Sequence, residues 1–362
     1  MRYLIAIAIL LAALAFWFTQ VDRAEPSTAA LSAGVTNLAI QPPDGDFKQV
    51  FEPVPFEFPR DHGPHPDYRS EWWYYTGNLA AADGSQFGYQ FTIFRRGITP
   101  GPPDRASEWG TRQVWFAHFT VTDGSGGTFN FAERFSRGSP NLAGAQGQPG
   151  YHVWLDNWEA REIEPGVVRL RANGDGMAVD LRLEQAKPAA LQGDRGVSAK
   201  SNQPGNASYY YSLTNNPTTG TVTTPRGTFA VTGNSWMDRE WSSSLLDEDA
   251  VGWDWFSLHL DDNRELMFYS IRRADGSAEP ASAGIIVQPD GSTTYLSLAD
   301  VQIENLDFWT SPHSGATYPA KWRLAVPAHN IDLTITPLIS DQELRVSFTY
   351  WEGAVTIEGS HT

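Results

Sequence analysis

The residues best suited to chemistry lie in the run 235–241, Ser-Trp-Met-Asp-Arg-Glu-Trp. In a strand, alternation puts Trp236, Asp238 and Glu240 on one face and Ser235, Met237, Arg239 and Trp241 on the other. If the acidic face points into a barrel lined by Tyr209 and Tyr211, Asp238 is a carboxyl group in an aromatic pocket. Burial disfavours the charged form and raises the pKa, which suits Asp238 to donate a proton near neutral pH.

An acid of this kind points to the chemistry of alkenes. Proton transfer to a carbon–carbon double bond creates a carbocation, and an aromatic face stabilises a cation by about 0.5 to 2 kcal/mol. The pattern favours hydration, isomerisation or cyclisation of an apolar alkene, with Asp238 as the catalytic acid. The residues predicted to line the substrate are Trp236, Tyr209, Tyr211, Glu240, Asp254, Trp255 and His118. A structural role stays open, in which Asp238 pairs with Arg239 or Arg272 or caps a turn.

Two of these residues have an alternative role. His118 lies among aromatic residues, and it is either a polar group on the pocket wall or a hydrogen-bonded interior histidine. Asp254 is either a second acid, a group that orients water, or a partner in a turn or an ion pair. A turn at 261–264 predicts that Trp253 lies opposite Arg272 in a cation–π contact.

Composition excludes several classes of site. The chain has no cysteine, so it can form neither a disulfide nor a thiolate metal site. A formal net charge of -16, without a cluster of Lys and Arg, argues against nucleic acid as a partner. His62 and His65 lie in a loop of Pro and Gly without a third ligand, and we predict neither a metal nor a cofactor. The run 233–237 departs from G-x-S-x-G at its last position, which disfavours a serine hydrolase.

Regular strands must position these residues. The run 71–79 packs four aromatic residues into a strand, and a turn at Asp83-Gly84 leads to a second strand with period-two alternation at 87–94. This register predicts that Glu71 lies opposite Arg95 as an ion pair. The run 253–260 repeats the tryptophan-rich strand. The sequence predicts an all-β protein.

Similarity between the two halves indicates a duplication. The run 305–309 is similar to 155–158, and Trp72 and Trp253 are separated by half the chain. We therefore predict two tandem antiparallel β-barrels, since closure removes exposed strand edges. The predicted domains are 51–200 and 201–362, with the pocket in the second barrel or between the two.

The N-terminal residues carry a targeting pattern. Residues 1–24 contain Arg2 and an apolar run, which indicates a secretory signal or an uncleaved anchor, and 25–50 indicates a linker. We expect an exported protein of the periplasm or cell envelope. An uncleaved segment would associate it with the inner membrane.

Five ordered motifs resemble one protein family. They are the runs 70–78, 91–95, 117–123, 235–240 and 253–256. Over residues 50 to 355 the chain resembles the AttH-like family, which is related to carotenoid 1,2-hydratase (hydroxyneurosporene synthase). The resemblance implies two lipocalin-like (calycin-type) barrels and a proton-donating aspartate at Asp238. It also implies that Trp236 replaces a tyrosine of the hydratases, and that Tyr209 and Tyr211 replace their His and Trp.

Two further expectations concern activity and length. Fungal pericyclases of similar fold catalyse cycloaddition in the same kind of pocket. Together with the candidate acid Asp238, the resemblance predicts binding of an isoprenoid or lipid-like molecule, with hydration, isomerisation or cyclisation of a double bond. The alternative is a non-catalytic module for lipid or glycan binding at the cell envelope. Family members usually continue with a further strand after 350–355, so either the last barrel closes differently or the sequence is shortened.

Overall fold

The computed structural model describes residues 47–101, 107, 110–139, 141–243 and 249–360. Within these ranges the chain is mostly β-structure, and helical geometry is confined to three short 3-10 turns, Arg60–His62, Leu298–Asp300 and Pro327–His329. The prediction of an all-β protein is confirmed. The described residues all belong to one compact unit.

Thirteen strands of the described ranges form one antiparallel sheet. They are β1 (Ser70–Ala81), β2 (Gln86–Gly97), β3 (Gln113–Asp123), β4 (Thr128–Ser136), β5 (Ala143–Gln146), β6 (His152–Leu155), β7 (Trp158–Glu164), β8 (Val167–Gly174), β9 (Met177–Glu184), β10 (Ala190–Leu191), β11 (Val197–Ala199), β12 (Ala207–Thr224) and β13 (Gly227–Ser242). The strand order is β4-β3-β2-β1-β13-β12-β9-β8-β7-β6-β5, and β10 and β11 pair with β12. The sheet curls into a nearly closed barrel, since Arg134 of β4 hydrogen-bonds Asn157 and the carbonyl of Asn173.

The interior of this first barrel is apolar, apart from one charged cluster. Trp73 and Tyr75 of β1 point inward and are buried in its core. Glu71 lies opposite Arg95 and forms the predicted ion pair, and Arg239 contributes a second one. Burial by itself would raise the pKa of Glu71, but the two guanidinium groups hold that pKa well below its usual range. Glu71 is therefore ionised and stabilises the fold through its two ion pairs.

The second half of the chain forms three smaller sheets. The first contains β14 (Ala250–His259), β15 (Glu265–Arg273), β16 (Ala283–Val287) and β17 (Thr293–Ser297). The second contains β18 (Gln302–Thr310), β19 (Thr317–Val326), β20 (Ile331–Pro337) and β23 (Val355–Ser360), and the third pairs β21 (Glu343–Arg345) with β22 (Thr349–Trp351). Phe268, Ile286, Leu324 and Ile335 lie in one buried apolar cluster that joins the first two of these sheets.

The hairpin of β14 and β15 differs from its predicted register by one residue. Trp253 lies opposite Ile271, and Arg272 lies opposite Gly252. The reason is the turn, in which the amide of Leu260 donates to the carbonyl of Arg264 and encloses three residues instead of four. The predicted cation–π contact is wrong in this register, and Trp253 is 56% exposed.

The boundary between the two sheet systems lies later than predicted. β12 and β13 follow residue 200, yet both belong to the first barrel, because β13 pairs with β1 over twelve residue pairs. The next sheet begins at Ala250. The assignment of residues 201–242 to a C-terminal barrel therefore does not match the strand pairing, while the division into separate domains stays a prediction.

The predicted signal or anchor at 1–24 lies outside the described residues, as does most of the predicted linker. In the part of the chain that is described, no helix has both the length and the apolar character needed to span a membrane.

Candidate active site

The site is built on the outer face of β13. Met237 and Trp241 pack in the core of the first barrel, whereas Trp236 belongs to a cluster with residues of the second half. The predicted alternation is present, and it turns Asp238 away from the barrel interior. Asp238 therefore lies where the outer face of the first sheet meets β14.

Tyr209 and Tyr211 do not share a face with Asp238, contrary to the prediction. They lie opposite Trp241 and Arg239 in the pairing of β12 with β13, and they are buried in the first barrel. The Tyr211 hydroxyl is 2.6 Å from Nδ1 of His62 in that interior. Because side chains alternate along β12, Tyr210, which lies between these two tyrosines, faces the site.

Three donors hold the Asp238 carboxyl group. Its Oδ1 accepts hydrogen bonds from the Ser212 hydroxyl at 2.5 Å and from Nε1 of Trp236 at 2.7 Å. The Tyr210 hydroxyl also bonds the carboxyl group. Asp238 is 4% exposed, and burial raises its pKa to about 7 against the opposing effect of these hydrogen bonds. Because Oδ1 already accepts two bonds, we place the proton of the acid form on Oδ2.

Trp255 of β14 packs against residues that surround this carboxyl group. Its ring packs edge-on against Tyr74 and Trp236, with centroids 5.4 Å and 6.3 Å away. Its Nε1 donates to the Tyr210 hydroxyl at 3.3 Å. Tyr74 and Trp255 are half-buried, whereas Trp236 is fully buried. We call Tyr74, Trp236 and Trp255 the three-ring cluster; it joins a buried acid to partly accessible aromatic surface.

A second carboxyl group lies at the same cluster. The Tyr74 hydroxyl donates to Oε1 of Glu352 at 2.7 Å, and Tyr74 lies directly opposite Asp238 in the pairing of β1 with β13. Burial raises the pKa of Glu352 to about 7, and the bond from Tyr74 opposes that rise. Sequence reasoning missed Glu352, which follows β22 in an irregular segment. Its position beside Tyr350 and Trp351 resembles that of Asp254 between two tryptophans, and this was the available signal.

His118 lies on the same outer face, in a chain of hydrogen bonds from Glu133 to Tyr350. Its Nε2 is 3.1 Å from Glu133, and its Nδ1 is 2.9 Å from the Tyr350 hydroxyl. Since the Glu133 carboxylate only accepts hydrogen bonds, the proton of His118 is on Nε2, and Nδ1 accepts from Tyr350. Burial lowers the pKa of His118 despite Glu133, so the ring is neutral. It is thus a buried hydrogen-bonded histidine close to the site.

The two remaining acidic candidates form ion pairs. Glu240 lies 2.8 Å from Nζ of Lys200. Asp254 lies 3.4 Å from Nε of Arg272, and burial raises the pKa of Asp254 while that pairing opposes the rise. Arg239 points to the opposite face of β13, where it pairs with Glu71 inside the barrel. The two arginines considered as partners of Asp238 are thus engaged elsewhere.

The interior of the first barrel offers little space. A cavity of about 30 Å³ lies there, lined by residues that include His62, Tyr75, Tyr151 and Met237. Pockets for drug-sized ligands usually measure about 300 to 1,000 Å³, and a single water needs about 10 to 15 Å³. This cavity suits water better than substrate, and it is separated from Asp238 by the sheet.

No group of three or more His, Asp or Glu side chains in the described ranges is arranged to hold a metal ion.

Comparison with known proteins agrees with this architecture. The sequence profile of the AttH-like family matches residues 49–362. The chain belongs to the AttH-like family. A crystal structure of an AttH protein from Nitrosomonas europaea is 33% identical and superimposes with a TM-score of 0.76, covering 86% of this chain and 94% of that one.

A second solved structure supports the fold alone. Kievitone hydratase from Nectria haematococca is 16% identical, with a TM-score of 0.63 over 88% of this chain and 92% of that one. The predicted lipocalin-like all-β class is confirmed. A comparison with curated proteins found no match.

Proposed function

We propose that this protein protonates a carbon–carbon double bond of an apolar, isoprenoid-like or lipid-like molecule at the three-ring cluster, and that hydration is the main outcome. The observation that carries the proposal is Asp238, a buried carboxyl group with a pKa of about 7 beside two tryptophans. An ordinary aspartate is ionised at neutral pH and cannot act as a proton donor. With a pKa of about 7, Asp238 is protonated in about half of the molecules at neutral pH and can act as a proton donor.

The reaction balances without a further reagent. The proton on Oδ2 of Asp238 forms a C–H bond at one alkene carbon, and the π electrons leave a cation at the other. Water adds to the cation and loses a proton, so that alkene and water give an alcohol. Trp255 and Tyr74 present aromatic surface to the cation, each worth about 0.5 to 2 kcal/mol, and the buried Trp236 packs against Trp255. Loss of a proton from carbon instead of attack by water would give an isomer.

The kind of substrate follows from the surface that would receive it. Half-buried Trp255 and Tyr74 offer ring faces and few hydrogen-bonding groups, so they favour an apolar chain over a sugar. The hydratase of similar fold makes water addition a natural first reaction to test. Export to the periplasm or cell envelope belongs to the proposal as well, and it depends on the sequence of residues 1–24.

A second candidate function is non-catalytic attachment to a lipid or a glycan. Val251 and Trp253, at the start of β14, are 64% and 56% exposed. Exposed tryptophan with an aliphatic neighbour is typical of surfaces that contact lipid or sugar. In this case Trp253→Ala would abolish binding to lipid vesicles, and Asp238→Asn would not change it.

The test measures proton transfer directly. The purified protein is incubated in D2O with citronellol, farnesol or squalene, and mass spectrometry follows deuterium gain and D2O addition. We expect both in the wild type and a loss of at least 100-fold in Asp238→Asn, since general acid catalysis typically contributes 10² to 10⁴-fold. The matched control is Asp332→Asn, whose side chain lies on the solvent-facing side of β20 and is 47% exposed, and it should keep wild-type rates. Equal rates in the two variants would remove Asp238 from the mechanism.

A further inference from the structure

Glu352 is a second carboxyl group at the three-ring cluster, where it accepts a hydrogen bond from Tyr74. We propose that Glu352 is the general base that takes the proton from the attacking water, so that hydration uses Asp238 as acid and Glu352 as base. This inference rests on the proposed function and adds a residue that the acid alone does not require. It also separates hydration from simple isomerisation, since only hydration needs an activated water.

The Tyr74 side chain connects Glu352 to the strand pair that carries Asp238. Tyr74 and Asp238 are direct neighbours across β1 and β13, and the Tyr74 hydroxyl reaches Oε1 of Glu352 at 2.7 Å. Directly opposite residues of an antiparallel pair have Cβ atoms roughly 4.5 to 5.5 Å apart. The two carboxyl groups therefore lie at either end of the Tyr74 side chain. Trp255 packs against Tyr74 and against Trp236, whose indole holds Asp238, so one aromatic surface connects both groups.

Both carboxyl groups have a pKa of about 7, so each is available in its protonated and its ionised form near neutral pH. The negative charge of Glu240 raises the pKa of Asp238 further, beyond the effect of burial, and thus favours its protonated form. Burial is what raises the pKa of Glu352, and its bond from Tyr74 favours the ionised form. Burial, and after it the charge of Glu352, raise the pKa of Tyr350 well above its usual value, so Tyr350 stays a neutral phenol. The reaction starts from the form in which Asp238 holds a proton and Glu352 is ionised, so the two carboxyl groups carry one proton between them.

The proton balance closes over one turnover. Asp238 gives its proton to carbon, water forms a C–O bond, and Glu352 receives the proton that water loses. The pair then carries its single proton on Glu352, and exchange with solvent returns it to Asp238. Tyr74 donates to the Glu352 carboxylate before the reaction and orients it.

Glu352 is held firmly enough for this role. Its amide donates to the carbonyl of Gln342 at 3.0 Å. The Gln342 side chain accepts from the Thr122 hydroxyl at 2.7 Å and from the amide of Ala354 at 2.8 Å. Gln342 is fully buried. The segment that carries Glu352 is thus fixed to β3 of the first barrel, which gives the carboxylate a defined direction.

The decisive experiment compares two outcomes in one assay. Farnesol and squalene are incubated in D2O with wild type, Glu352→Gln and Asp238→Asn, and C–D formation is measured separately from D2O addition. We expect Glu352→Gln to lose at least 100-fold in D2O addition while it keeps deuterium exchange into the alkene within about threefold. Asp238→Asn should lose both. The matched control is Glu358→Gln on exposed β23, which should behave as wild type.

Each alternative outcome has a definite meaning. Wild-type D2O addition by Glu352→Gln, or an equal loss of both readouts in that variant, overturns the base role while the proposed function stands. Absence of both readouts in the wild type overturns the proposed function itself, and the base role with it.

A second variant covers the case in which Glu352→Gln does not fold. Tyr74→Phe removes the donor that favours the Glu352 carboxylate, so the pKa of Glu352 rises. Because a base must be ionised, the acidic limb of the pH–rate profile should move to higher pH, by about half a pH unit or more. An unchanged acidic limb contradicts the proposal.

Discussion

At the scale of single residues, the site keeps an acid protonated by burying it. Asp238 accepts hydrogen bonds from Ser212 and Trp236 and still has a pKa of about 7, because burial outweighs these bonds. In the unfolded chain its pKa would be about 3.9. Between these values the folded state binds more protons than the unfolded state, so the contribution of Asp238 to stability falls as pH rises and then levels off above about 7. The burial that makes Asp238 a proton donor near neutral pH therefore lowers the stability of the folded protein at the same pH.

The stability prediction concerns Asp238→Asn. Asparagine keeps an oxygen for the Ser212 and Trp236 donors but cannot ionise, so the variant avoids this loss. A difference of one in pKa corresponds to about 1.4 kcal/mol, so its gain over wild type should grow from near zero at pH 4 to about 2–4 kcal/mol at pH 8. Urea unfolding at both pH values measures it. A gain independent of pH would contradict the burial argument.

At the scale of elements, the segment from 338 to 354 brings its residues to the first barrel. Glu133 of β4 accepts from the amide and the hydroxyl of Ser347, and it contacts Nε2 of His118. Burial would raise the pKa of Glu133, but these bonds lower it overall. Its stabilising effect is therefore complete above the unfolded pKa of about 4.3 and is lost as pH falls through the lower folded pKa.

Glu133→Gln should loosen this segment, which also carries Glu352. We expect a destabilisation of about 1–3 kcal/mol at pH 7, because His118 and Ser347 lose a charged acceptor, and faster hydrogen exchange in 339–354. The difference from wild type should shrink at pH 3. Glu304→Gln on β18 serves as an exposed control. Unchanged exchange in 339–354 would show that other contacts hold the segment.

At the scale of the whole molecule, a buried ion pair connects the first barrel to the second half. Nζ of Lys187, after β9, lies 2.9 and 2.8 Å from the two oxygens of Glu265 on β15. Thr214 and Asn215 of β12 also donate to Glu265. The site lies between the same two parts of the chain, so this ion pair helps to keep Trp255 packed against Trp236.

Removal of one partner should be costly. Lys187→Met leaves Glu265 buried with its charge unpaired, and such a change typically costs about 3–5 kcal/mol. We expect a single unfolding transition at a lower denaturant midpoint, and a smaller loss in the double variant Lys187→Met with Glu265→Leu. Separate transitions for the two halves would indicate that they unfold independently.

The sequence by itself determined the features that depend on neighbours in the chain. Period-two alternation placed Trp236 and Asp238 on one face of β13, and the turn at Asp83-Gly84 set Glu71 opposite Arg95. The all-β class followed from the same patterns. These features are local, because alternation and a short turn specify them without distant contacts.

Only the tertiary structure decided which face of β13 carries the site. Alternation cannot say which face of a sheet becomes the barrel interior, so Tyr209 and Tyr211 were assigned to the wrong side of β12. Glu352 was missed because more than 100 residues separate it from Asp238, and only the pairing of β1 with β13 brings Tyr74 between them. Side-chain direction is a local property, whereas the coverage of a sheet face depends on how distant strands pack.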